Sequence, residues 1–232
     1  MNSLQKMGGI AALYEAAAYL IAMVGYLLVI GVEAVDPVQK VAILLENQSL
    51  LTLLNLIAYV IFGVFLIVLA LALYERLKGS STALAQTATA IALIWASVVI
   101  ASGMVANYGM GIAVDLYNQD PAQAATVWLA VDTVAVGLGG GGGEILGGLW
   151  MLLVSWAALR AGEFHKGLNY LGLMVGAAGL VSLVPLLGEL RGLVFGLGQL
   201  VWFTWLGIVM LRSRQSVPSE TADYLAPRHR IG

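Results

Sequence analysis

Residues 50–74, LLTLLNLIAYVIFGVFLIVLALALY, decide the fold of this chain. The run holds no charged side chain, and as an α-helix rising 1.5 Å per residue it is about 37 Å long. That exceeds the roughly 30 Å hydrocarbon core of a bilayer. A membrane β-strand would instead show about ten residues of alternating polarity, and no such alternation is present. Working outward, similar apolar blocks cover 8–32, 83–108, 145–160, 168–187 and 193–211. The expected architecture is an all-α polytopic bundle of six spans, residues 1–212, followed by a mobile cytoplasmic tail, 213–232, which is polar and contains two prolines.

Composition agrees with this reading. Of 232 residues, 60% are apolar and 10% charged, with a mean hydropathy of +0.91, well outside the balance of a water-soluble domain. The absence of cysteine excludes disulfides, thiolate metal sites and thiol chemistry. The formal charge of −2 carries no basic footprint of the kind nucleic acid requires. The first ten residues hold one lysine, and Glu15 follows within the first apolar block, a poor fit to a cleaved signal peptide.

Basic residues in short loops favour the cytoplasm. With six spans, Lys6, Arg76, Lys78, Arg160, Lys166, Arg212, Arg214, Arg228 and Arg230 share one side, and Lys40 and Arg191 take the other. Both termini are then cytoplasmic. The segment 122–138, AQAATVWLAVDTVAVGL, is apolar enough to compete as a seventh span, but counting it would reverse every later basic residue. It is therefore read as a re-entrant or interfacial helix on the outer side. A single helix over 122–160 would be about 58 Å long, so a broken one is expected. Between the first two spans, a short amphipathic stretch after Pro37 reads as a connector at the membrane surface.

Ionisable side chains at membrane depth are the first functional candidates. Glu15 lies about two turns into the first span with Tyr19 four residues on, within hydrogen-bonding reach on the same face. Asp132 and Glu144 bracket the run Gly139 to Gly143 in AVDTVAVGLGGGGGEILGG. A helix broken there would leave backbone polar groups beside two carboxyls, an arrangement transporters use for ions and substrates. The plainer reading makes Glu144 a helix cap and the glycines a packing device. The second acid of intramembrane aspartyl proteases follows Gly-x-Gly-Asp. Here Glu144 stands in that place and its partner acid is only a short segment upstream, so the match is poor.

Both histidines, His165 and His229, lie outside the apolar blocks, and no lysine lies mid-span. Histidine-ligated metal, bis-histidine haem and retinal Schiff-base chemistry are thus not expected, and neither metal nor cofactor is assigned. Asn55, Tyr59 and Gln199 are neutral polar groups at depth, with Asn55 and Tyr59 on one face, and interhelical hydrogen bonding is their ordinary role. Gly188, Gly192 and Gly196 form a smooth stripe beside Arg191, which is either neutralised by Glu189 or Asp132 or solvated at the interface. Trp128, Trp150, Trp156, Trp202 and Trp205 suit an aromatic belt or lipid-facing packing.

The segments NSLQKMGGIAALYEAAAYL (2–20), WLAVDTVAVGLGGGGGEILGGLWMLL (128–153) and NYLGLMVGAAGL (169–180) resemble a bacterial family of six-helix membrane proteins designated domain of unknown function 4386. The resemblance implies a multi-pass protein of the inner membrane and brings no reaction, cofactor or catalytic residue with it. Function then rests on the residues: an outward-facing polar pocket with Asp132, Glu144, Glu15, Arg191, Tyr19 and Asn55 as ligand-binding candidates, binding or moving a small molecule, lipid or ion. Two rivals stand beside it, a scaffold subunit that partners a second copy or another membrane protein, and a membrane enzyme acting on a lipid or isoprenoid.

Overall fold

A computed structural model describes residues 3–31, 36–139, 144–181 and 190–212. The helices are α1 (Ser3–Ile30), α2 (Pro37–Glu46), α3 (Gln48–Asn55), α4 (Phe62–Tyr117), α5 (Pro121–Leu138), α6 (Ile145–Ala161), α7 (Lys166–Val181) and α8 (Leu190–Arg212). A single π-helical turn, Leu56–Ile61, joins α3 to α4. No strand occurs among the described residues. The protein is an all-α membrane helix bundle. The tail 213–232 and most of the glycine run, 140–143, lie outside the described residues.

Local chemistry sets several boundaries. α2 and α5 both start at an Asp-Pro pair: the carboxylates of Asp36 and Asp120 each accept two backbone N–H groups of the first turn, and the following proline has no N–H to leave unpaired. α6 ends at Gly162, whose φ of 65° is the left-handed conformation that closes a helix without steric penalty.

α4 runs for 56 residues, which straight would reach about 84 Å. It doubles back near residues 79–82 instead. Phe62 meets Trp95 edge-on with ring centroids 5.9 Å apart, and Gly103 lies against the ring of Tyr59. The two legs are therefore antiparallel neighbours. Among the described residues, five stretches are long and apolar enough to cross a membrane: Ser3–Ile30, Gln48–Ser80, Thr82–Tyr117, Pro121–Leu138 and Val194–Arg212, with α6 a shorter apolar helix. The stretch kept out of the span count, α5, qualifies by length, but with a mean hydropathy of 1.2 against 3.0 for Gln48–Ser80.

The directions of α5 and α6 explain why one segment looks like an extra span. Along α5, Val131 packs on Gly109, Ser102 donates to the carbonyl of Ala135, and Gly139 sits by Val99. Along α6, Gly147 packs on Trp95, and Val154 shares a crevice with Leu77 and Ala85. Both helices thus descend the second leg of α4 in the same sense, α5 beside its far half and α6 beside its near half.

One end of the bundle is basic, and Arg76 Nε there donates to the Glu163 carboxylate at 2.6 Å. The core of that half is built from alanines of α1 and α4 and a cluster of Trp95, Trp150, Trp202 and Phe203. This corrects the belt reading for three tryptophans: Trp150 and Trp202 are 0% and 2% exposed, and Trp128 is buried in the other half, whereas Trp156 and Trp205 remain on the surface. Small residues bring the backbones together here. A β-carbon on Gly148 would lie 2.7 Å from the Gly176 carbonyl, and one on Gly207 would lie 2.9 Å from that of Gly9.

The distal half has its own core of Val41, Leu44, Leu51, Leu54, Met110 and Trp128, contributed by α2, α3, the far part of α4 and α5. α2 is consequently more than a connector at the membrane surface: its apolar face, Val41 and Leu44, is fully packed.

Candidate functional site

The site grows from the π-helical turn. A π turn holds one more residue than an α turn and leaves a carbonyl free to find another donor. Tyr14 Oη supplies it, donating to Ile57 O at 3.0 Å. The same turn presents Asn55 and Tyr59 to different neighbours. Asn55 reaches α1 and the second leg of α4, accepting at Oδ1 from Tyr26 Oη and donating from Nδ2 to Asn107 Oδ1 at 2.7 Å. Asn107 Nδ2 continues to Thr52 O at 3.4 Å. A directed polar chain results, from Tyr26 through Asn55 and Asn107 to Thr52, crossing three helical segments.

Tyr26 and Tyr59 also form the common wall of two cavities. The first, about 280 Å³, is lined by Tyr19, Tyr26, Tyr59, Trp95, Glu144 and Gln199 together with small or apolar residues such as Ala22, Ala58 and Gly196. Gly196 is required there: a β-carbon at that position would lie 2.6 Å from Tyr19 Oη. The second cavity, about 220 Å³, is lined by Lys40, Asn55, Ser102, Trp128 and Asp132 besides the two shared tyrosines. Lys40 Nζ and Asp132 Oδ2 form an ion pair at 2.8 Å.

Five of the six candidates from the sequence have a definite place. Tyr19 and Glu144 line the first chamber and Asn55 and Asp132 the second, so one pocket becomes two adjoining ones. Glu144 occupies the N-cap position of α6, yet its side chain makes no capping hydrogen bond. Asp132 pairs with Lys40, because α2 packs directly on α5. The Arg191 side chain lies outside the described residues, as do Gly188 and Glu189.

Glu15 lines neither chamber. It is 0% exposed, and neither carboxyl oxygen has a hydrogen-bond partner among the described residues. The expected bond to Tyr19 is not made, since the Tyr19 hydroxyl is turned toward Gly196 of α8.

Sequence reasoning missed Tyr26, Lys40, Asn107 and Trp95 as wall or network residues. Tyr26 carried a usable signal: with Glu15, Tyr19 and Ala22 it continues one face of α1 at intervals of four, three and four. Lys40 was visible as one of two cations on the outer side. Among the described residues, no group of three or more histidine, aspartate or glutamate side chains is arranged to hold a metal ion.

Family comparison places the whole bundle. The family model described as a domain of unknown function, DUF4386, matches residues 10–209. The chain belongs to that family. The match runs from α1 into α8, so both chambers of this DUF4386 member lie inside the family's own extent. No curated protein and no solved structure matches the chain.

Proposed function

We propose that the protein is a six-span protein of the bacterial inner membrane that binds a small molecule in the two-chambered cavity of its outward-facing half. The spans are α1, α3 with the first leg of α4, the second leg of α4, α5 and α6 together as one interrupted crossing, α7, and α8. The shared descent of α5 and α6 supports counting them once, and the basic end, with Lys6, Arg76, Lys78, Arg160, Lys166 and Arg212, then faces the cytoplasm.

The observation that carries the binding reading is the pair of cavities meeting at Tyr26 and Tyr59, with a carboxyl group in each. Ligand sites are mostly apolar, concave and furnished with a few convergent polar groups. The first chamber has that composition, with aromatic and small apolar walls and, among its described residues, Glu144, Gln199 and three tyrosine hydroxyls as polar groups. The glycine stripes that would favour a scaffold role are, where described, taken up inside the bundle by α1–α8 and α6–α7 packing.

Native mass spectrometry of gently extracted protein tests this reading. Wild-type protein is expected to carry a stoichiometric small molecule, and Ala22→Trp, which fills the first chamber, is expected to lose it while keeping its helicity. Wild-type protein that emerges empty, or a filled variant that carries as much ligand as wild type, would overturn it.

A further inference from the structure

Two features of the cavity fix the chemistry of its occupant beyond "small molecule", and the inference rests on the binding reading above. The first is how the cavity opens. Met23 of α1 and Leu197 of α8 line the first chamber and are also 39% and 43% exposed on the outside of the bundle. Both side chains are apolar and lie on the outside of a membrane bundle, so entry between them would be sideways from the bilayer. A chain entering there meets Ala22, Ala58, Trp95 and Val99, a lining suited to an alkyl or isoprenoid chain.

The second feature is the charge at the other end. Lys40 and Asp132 are the only described charged residues of the second chamber, and their side chains are 33% and 30% exposed, within reach of a ligand. Separating a half-buried ion pair is costly if either charge is left without a counter-charge. An anionic head group on Lys40 would strand Asp132, and a cationic one on Asp132 would strand Lys40. A head group bearing one charge of each sign exchanges with the pair and strands neither.

We propose that the two chambers together hold a zwitterionic single-chain amphiphile of the phosphoethanolamine type, with its chain in the first chamber and its head group between Lys40 and Asp132. The phosphate oxygens accept from Lys40 Nζ and the ammonium donates to the Asp132 carboxylate. Tyr26 and Tyr59 lie where head and chain join, and their hydroxyls face the polar linkage. In series, the two volumes reach the range of about 300–1,000 Å³ usual for such ligands, which neither reaches alone.

The test is competition binding to detergent-solubilised full-length protein, followed by native mass spectrometry. The probes are lysophosphatidylethanolamine, lysophosphatidylglycerol, an alkylammonium of equal chain length and free phosphoethanolamine. Lysophosphatidylethanolamine is expected to bind at least tenfold more tightly than the other two chain-bearing probes, and free phosphoethanolamine not to compete. Asp132→Asn is expected to shift preference toward lysophosphatidylglycerol and Lys40→Gln toward the alkylammonium. Each variant gains affinity for one probe, which a misfolded protein does not do.

Equal binding of the three chain-bearing probes to wild type would overturn the zwitterion assignment and leave the cavity reading standing. Binding of none of them would overturn both. Free phosphoethanolamine competing as well as the lysolipid would mean a water-soluble ligand, and variants that weaken all probes alike would reduce the ion pair to a structural role.

Discussion

The basic half of the bundle and its distal half are built by opposite means. Near the basic end, glycine and alanine bring backbones into direct contact, tryptophan fills what remains, and the crevice beside Trp150 and Val154 holds only about 10 Å³. Toward the distal end, tyrosine, asparagine and an ion pair bridge the helices, and cavities of about 280 and 220 Å³ persist between them. Hydrocarbon supplies no strong drive to expel apolar groups from it, so helices associate by packing and by hydrogen bonds. Packing with small residues leaves no room. Hydrogen bonds between long side chains hold helices apart at a fixed distance, and that spacing is what a ligand can use.

The sharpest way to break this contrast is to hollow the filled half. Trp150→Ala removes a side chain with no exposed surface and is expected to destabilise the bundle by about 3–5 kcal/mol. Thermal unfolding in detergent checks it, and a shift no larger than that of a surface tryptophan such as Trp156→Ala would deny the cluster its central role. A smaller effect, about 1–3 kcal/mol, is expected from Gly148→Leu, because the new β-carbon would lie 2.7 Å from the Gly176 carbonyl and 3.0 Å from the Gly179 Cα. The same melts report it, and hydrogen exchange should rise first in α6 and α7.

The smallest of the three, about 1 kcal/mol, is expected from Asn107→Ala in the spaced half, where Asn55 Nδ2 loses its acceptor. Its signature is local. Exchange should rise around Thr52, Asn55 and Tyr59 and stay unchanged in α6, and a uniform rise would show that the two halves are not separable.

Much of the bundle was legible in the sequence because length and hydrophobicity suffice to find membrane helices. The positions of 50–74, 145–160 and 193–211 needed nothing more. Which way a helix faces was less legible. α6 is apolar all round, and a helix without a polar stripe gives no indication that Trp150 points inward and Trp156 outward. Asn55 could be recognised as an interhelical bonder because polar groups at depth need partners. Its partners could not, since Tyr26 and Asn107 are distant in sequence and their meeting depends on helix rotation.

The split of the acidic pair between two chambers had the same origin. Asp132 and Glu144 are near neighbours in sequence, but α5 ends beside Val99 and α6 begins beside Trp95, and the cavities the two acids line adjoin at Tyr26 and Tyr59. Lys40 finds Asp132 only because the Asp36–Pro37 start aims α2 across α5, a tertiary consequence of a local cap.

The π-helical turn Leu56–Ile61 has one more consequence, which concerns phase. A residue inserted into an α-helix rotates everything beyond it by about 100°. Before the turn, the segment is set so that Asn55 looks toward Tyr26 and Asn107; after it, Phe62 looks toward Trp95 and Phe203. Asn55 and Phe62, seven residues apart, would share one face of a regular helix, and the turn sets their relative rotation instead. The turn acts as a coupling between two separately indexed halves, and its length matters more than the identity of its apolar residues. Shortening it by a single residue would leave hydropathy unchanged and turn one chamber's wall away from the other.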